Sequence, residues 1–115
     1  MVAVGDQAPG FELDGVDGRS GAPCRFSLEG LRGRPVVLVF YPNDNSPLCR
    51  RQLAEYTAGI GSFDQLDAQV LGLSPWSVAS HAKFASRSGG FGFPLLSDPA
   101  KDVARAYGVL GLLDL

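Results

Sequence analysis

Cys49 is the residue of this chain best placed to do chemistry. It stands in the stretch Ser46-Pro47-Leu48-Cys49-Arg50-Arg51, where Ser46 suits the N-cap of a helix and Pro47 its first position. Cys49 then falls in the first helical turn. There the unpaired backbone N–H groups and the positive end of the helix dipole favour an anion, and two arginines follow at once. A thiol so placed is favoured as the thiolate, which is the nucleophilic form. An inert cysteine would suit an apolar helix face better than this polar turn. The position three before Cys49 is Ser46, so the Cys-x-x-Cys pair that dithiol exchange requires is absent. Cys24, the second cysteine, lies too far away in sequence for a zinc knuckle or a disulfide scaffold. With no Gly-rich phosphate loop and no cluster of metal ligands, neither a cofactor nor a metal is expected.

The elements that must position Cys49 follow from the surrounding pattern. Residues 36–41, a β-branched and aromatic run between Pro35 and Pro42, read as a strand buried on both faces. Upstream, residues 11–13 and 24–26 pair as an N-terminal hairpin, and its long connection, 14–23, is expected to be exposed and mobile. Ser27 caps a short turn through Leu28, Glu29 and Leu31. Downstream, Leu53, Tyr56 and Ile60 recur at helical spacing, while Gly59 and Gly61 weaken the end of that helix. Residues 69–73 form the next strand, in a parallel, right-handed crossover. Ser77 opens a helix carrying Val78, His81, Ala82 and Phe84 or Ala85 on its faces, and Ser88-Gly89-Gly90 ends it. Residues 91–96 return as a short strand. Asp98-Pro99 caps a last helix whose buried stripe is Val103, Ala106 and Tyr107. A hairpin followed by alternating strands and helices is an α/β layered pattern.

A length of 115 residues allows a single domain over 1–115. The composition, 45% hydrophobic and 19% charged, is that of an ordinary soluble globular protein. A formal charge of −2 gives no pull toward nucleic acid or an anionic membrane. The longest apolar run, 36–41, is too short to span a bilayer, and no basic segment followed by an apolar core opens the chain. A cytoplasmic protein is the expectation.

Pro42, Ser46 and Cys49 fill the pattern of the peroxiredoxin active-site segment: Pro, three residues, Thr or Ser, two residues, Cys. Further segments resemble the Q-type branch, the bacterioferritin comigratory proteins, in the family's order. They are 4–13, 28–35, 70–75, 81–84, 93–98 and 106–109. The resemblance implies a thioredoxin-like fold with an N-terminal β-hairpin, and a thiol-dependent peroxidase. Cys49 would be the peroxidatic cysteine. Ser46 and the N–H groups near Leu48 and Cys49 would donate to the peroxide oxygens, and Pro42 would shield the sulfur. It further implies a hydroperoxide substrate, thioredoxin or another thiol as reductant, and a monomer or homodimer.

Departures from the family pattern carry their own expectations. Ala54 stands where many Q-type members have a resolving cysteine, which leaves Cys24 as the remaining candidate, equally readable as a packed hairpin residue. Gln52 replaces a frequent acid. The family's catalytic arginine is not found, and neither Arg50 nor Arg51 is assigned its role. Family members continue past the Tyr107-Gly108-Val109 segment with a strand pair and a closing helix. The chain is therefore expected to be a truncated member, with strand 36–41 left with an open edge and an uncovered face. His81 resembles a histidine of the corresponding family helix and is expected to be structural rather than catalytic, and Trp76 to be packing or loop. The alternative function is a non-catalytic, truncated redox-sensing or interaction module.

Overall fold

A computed structural model describes residues 2–113. Five strands form one sheet in the order β2-β1-β5-β4-β3. The antiparallel hairpin pairs β1 (Glu12–Val16) with β2 (Pro23–Ser27), in a register that sets Leu13 opposite Phe26. β3 (Val36–Phe40), β4 (Gln69–Ser74) and β5 (Leu95–Ser97) run parallel, with Val37 opposite Val70 and Leu73 opposite Leu96. β1 closes against β5 in antiparallel fashion. The helices are α1 (Pro47–Ala58), α2 (Ile60–Gln65), α3 (Val78–Arg87) and α4 (Asp102–Tyr107), with 3-10 turns at Glu29–Leu31 and Leu110–Leu113.

Side chains alternate across a strand, and here the alternation divides the core in two. Val16, Val39, Val70 and Leu95 face Cys49, Leu53, Phe84 and Phe91, under α1 and α3. Leu71, Leu73 and Leu96 face the other way, with Leu31, Val103, Cys24 and Phe26. The result is a sheet between two layers.

The strand before Cys49 differs from its expected burial. Among the described residues β3 pairs only with β4 and lies at the sheet edge, and Val36, Val37, Leu38 and Phe40 are half-buried. The interior positions belong to β5 at the centre, where Leu95, Leu96 and Ser97 are all buried, and to β4 beside it, where Val70 through Ser74 are all buried. An apolar β-branched run shows that a segment fits a pleated surface, but carries no count of its neighbours. As expected of an open edge, one face of β3 is uncovered: Val36, Leu38 and Phe40 line a groove of about 900 Å³ together with Phe11, Leu31 and Tyr107.

The hairpin connection is shorter and more tied down than expected. β1 runs on to Val16, and the Asp17 carboxylate accepts from the N–H groups of Arg19 (2.9 Å) and Ser20 (2.8 Å) and from the Ser20 hydroxyl (3.1 Å). Gly18 passes so close to the next segment that a Cβ there would lie 2.2 Å from the Phe93 carbonyl oxygen. Phe91 N–H donates to the Gly18 carbonyl, and the strand expected over 91–96 is confined to Leu95–Ser97, with the Pro94 carbonyl just before it accepting from the Gly72 N–H at 3.0 Å. In α4, Val103 and Ala104 are buried, while Ala106 is exposed. The Asp98 carboxylate accepts from the N–H groups of Val103 (3.3 Å) and Ala104 (3.0 Å), which fixes that helix's rotation.

Candidate active site

The chain leaves β3 at Phe40, and Tyr41 N–H still donates to the Leu73 carbonyl at 3.0 Å. Pro42 follows, half-buried. A turn comes next, in which Asn43 Oδ1 accepts from the Asn45 N–H at 2.8 Å. Ser46, extended at φ −84° and ψ 122°, is the N-cap of α1, with Pro47 behind it. Its hydroxyl oxygen accepts from the Cys49 N–H at 3.3 Å, which satisfies one of the orphan donors of the first turn. Cys49 itself is 5% exposed. Ser46 makes no hydrogen bond to the sulfur among the described residues; its contact with Cys49 is through the amide. Arg50 and Arg51 both lie exposed on the helix surface, and Arg51 pairs with Glu55 at 3.7 Å. Thus the local placement expected for Pro42, Ser46 and Cys49 is found in one continuous strand–turn–helix unit.

Beneath this turn lies a polar cluster that includes two groups not singled out by spacing, Tyr41 and Asp44. The Tyr41 hydroxyl donates to Asp44 Oδ1 at 2.9 Å, and the Ser80 hydroxyl donates to Asp44 Oδ2 at 2.7 Å. His81 Nδ1 is 2.7 Å from Asp44 Oδ2, and its Nε2 is 3.0 Å from the Leu96 carbonyl. Burial pushes the Tyr41 phenol well above its ordinary range, and the charges of Asp44 and of a Cys49 thiolate push in the same direction. Arg87, in the last turn of α3, donates to the Asp44 backbone carbonyl and, at 3.1 Å, to Asn45 Oδ1, with its guanidinium 5.2 Å from the centre of the Phe84 ring. His81 is therefore a fully bonded buried residue. Asp44 is not singled out in the sequence: apart from Tyr41, three positions before it, the groups that bond its carboxylate, Ser80 and His81, stand 36 and 37 positions away.

Cys24 is half-buried on β2 and packs with the second face of the sheet, whereas Cys49 packs with the first. Both thiols are free. Burial, with the charges of Asp17 and Asp14, pushes the Cys24 thiol up and so disfavours its thiolate. The apolar groove under β3 also belongs to the second face and carries no nucleophile. Among the described residues, no group of three or more His, Cys, Asp or Glu is placed to hold a metal ion, and no helix is long and apolar enough to cross a membrane.

A sheet with helices on both faces, an antiparallel hairpin at one edge and a cysteine capped into the helix after a parallel strand is the architecture of the thioredoxin-like fold. The chain belongs to the AhpC/TSA family, which matches residues 4–113. It is similar to peroxiredoxin Q, chloroplastic, of Oryza sativa subsp. japonica, with 37% identity over 108 residues that make up 94% of this chain and 47% of the rice protein. Among solved structures it resembles Mycobacterium tuberculosis AhpC, with a TM-score of 0.85, 25% identity, and coverage of 96% of this chain and 73% of that one. It also resembles the Xanthomonas campestris bacterioferritin comigratory protein, a structure concerned with that protein's alkyl peroxide reduction activity. There the TM-score is 0.70 at 35% identity, over 74% of this chain and 54% of that one. The chain spans about half to two thirds of the length of the curated relatives it matches.

Proposed function

We propose that the chain carries the peroxide-reducing site of a thiol-dependent peroxidase, with Cys49 as the attacking residue. In this reading the Cys49 thiolate attacks one oxygen of a hydroperoxide and the O–O bond breaks. The sulfur becomes a sulfenic acid, and the other oxygen leaves as an alkoxide or hydroxide that takes up a proton to give an alcohol or water. The observation that carries it is the seating of Cys49 in the capped first turn of α1, 5% exposed, in a chain of this family. The Ser46 oxygen is occupied as an acceptor by the Cys49 amide, and its own proton is free for a peroxide oxygen. Pro42, with no N–H and a fixed ring, gives rigidity to the turn that leads to Cys49. Arg50 and Arg51 face solvent, so the charge on the leaving oxygen is met by the helix terminus, with any further cation coming from another segment.

Recycling by an external thiol, of the thioredoxin kind, fits the separation of the two cysteines. A disulfide needs Cα atoms within about 7 Å, and Cys24 and Cys49 pack on opposite faces of the sheet. The test is peroxide consumption with a thiol reductant, together with a sulfenic-acid trap read by mass spectrometry. Cys49→Ser is expected to abolish both signals and Cys24→Ser to preserve them. Trapping at Cys24 in preference to Cys49 would remove Cys49 from its role.

A further inference from the structure

The proposed chemistry uses the loop from Pro42 to Cys49 and leaves the polar cluster beneath it without a task. The side chains of Asp44 and His81 are both 0% exposed, so whatever charge they hold is out of reach of water. Their protons can be placed from geometry. A carbonyl oxygen only accepts, so the 3.0 Å contact with Leu96 requires a proton on His81 Nε2. Asp44 Oδ2 already accepts from the Ser80 hydroxyl, and Oδ1 from Tyr41, which is the pattern of an ionised carboxylate. The 2.7 Å contact between Oδ2 and His81 Nδ1 is then a second N–H donor, facing a carboxylate with an imidazolium. The pair as a whole is then neutral.

Removing one member would leave the other charge buried and unpaired. That matters to the sulfur because Tyr41 links the two: it belongs to the same core cluster as Cys49 and donates its hydroxyl to Asp44. The remaining groups around the pair are Ser80 and Arg87 from α3, the latter held on the Asp44 backbone carbonyl, and Ser74 from β4, beside the Tyr41 hydroxyl. No other ionisable side chain is hydrogen-bonded to the pair among the described residues.

We infer that His81 is a positioning residue for Cys49. It acts through Asp44, cancelling the carboxylate's charge so that the thiolate does not form opposite a bare buried anion, and tying the turn to α3 and β5. The inference rests on the thiolate chemistry proposed above, and its test is chosen to be independent of peroxide. In the full chain carrying Cys24→Ser, the alkylation rate of Cys49 by iodoacetamide is measured across pH, for the parent, His81→Gln, Asp44→Asn and the double variant, each checked by circular dichroism.

His81→Gln should move the rate profile to higher pH with its plateau unchanged. At neutral pH alkylation should be slower by about tenfold, the effect of one unpaired like charge. Adding Asp44→Asn should bring the profile back, because the anion is gone although the link to α3 is lost as well. A purely structural role predicts a double variant no better than the single. An unmoved His81→Gln profile, or a double variant as displaced as the single, overturns the inference. Should His81→Gln fail to fold, Asp44→Asn decides: it is expected near the parent profile, and displacement to higher pH overturns the inference. A parent that alkylates readily but consumes no peroxide would refute the proposed function and leave this inference standing.

Discussion

Ser46 offers the sharpest separation of stability from reactivity. Its hydroxyl oxygen accepts from the Cys49 N–H at 3.3 Å and caps α1, and its proton is free for substrate. Ser46→Ala deletes both functions. Loss of an N-cap costs about 1 kcal/mol, which for a domain of this size lowers Tm by roughly 4 °C. Loss of one donor aimed at a developing oxyanion slows the peroxide step by about 10 to 1000-fold. Two further substitutions split these effects. Ser46→Thr keeps cap and donor and should match the parent in both. Ser46→Asp keeps an acceptor for the Cys49 amide and so holds Tm near the parent's, but it sets an anion beside the sulfur and removes the donor, so the peroxide rate should fall as far as in Ser46→Ala. The assay pairs thermal unfolding followed by circular dichroism with stopped-flow peroxide reduction, in the full chain. A Ser46→Ala variant with the parent's midpoint and the parent's rate would refute the reasoning on both counts. A rate loss matched in Ser46→Thr would show that the side chain's fit, and not its hydroxyl, is what matters.

Tyr41→Phe removes one of the three donors to the buried Asp44 carboxylate and should destabilise the fold by about 1–3 kcal/mol; chemical denaturation measures it, and an unchanged midpoint would mean that Oδ1 finds another donor. The Asp17 carboxylate is held below its ordinary value of 3.8, chiefly by the backbone N–H groups of Ser20 and Arg19. Since its folded value is depressed, its contribution is complete above the unfolded value and disappears as pH falls through the folded one. Asp17→Asn should therefore be less stable than the parent at pH 7, with a gap that closes in acid; a gap that is constant or widens toward low pH counts against the turn assignment.

How much of this molecule is legible in its sequence depends on the range of each interaction. The N-caps Ser46 and Ser77, the proline after Ser46, the break at Gly59 between α1 and α2, and the glycine stop after α3 all act within about four residues. The seat of Cys49 in a first helical turn was therefore settled by sequence alone, as was the alternation of strands and helices. The order of strands was not. Residues 36–41 carry the strongest strand signal in the chain, yet the short β5 holds the centre and β3 the edge, because pairing depends on which segments arrive alongside. Nor could spacing show that Cys24 lies across the sheet from Cys49, since a period of two tells that faces alternate without telling which face meets which helix. The Tyr41–Asp44–His81 cluster is the extreme case. Its hydrogen bonds join a strand end, a turn and a helix some forty residues away, and burial alone makes each of them matter. Sequence by itself determined where the thiol sits on its helix; tertiary packing decided which charges surround it, because the electrostatics of a buried group are set by neighbours in space.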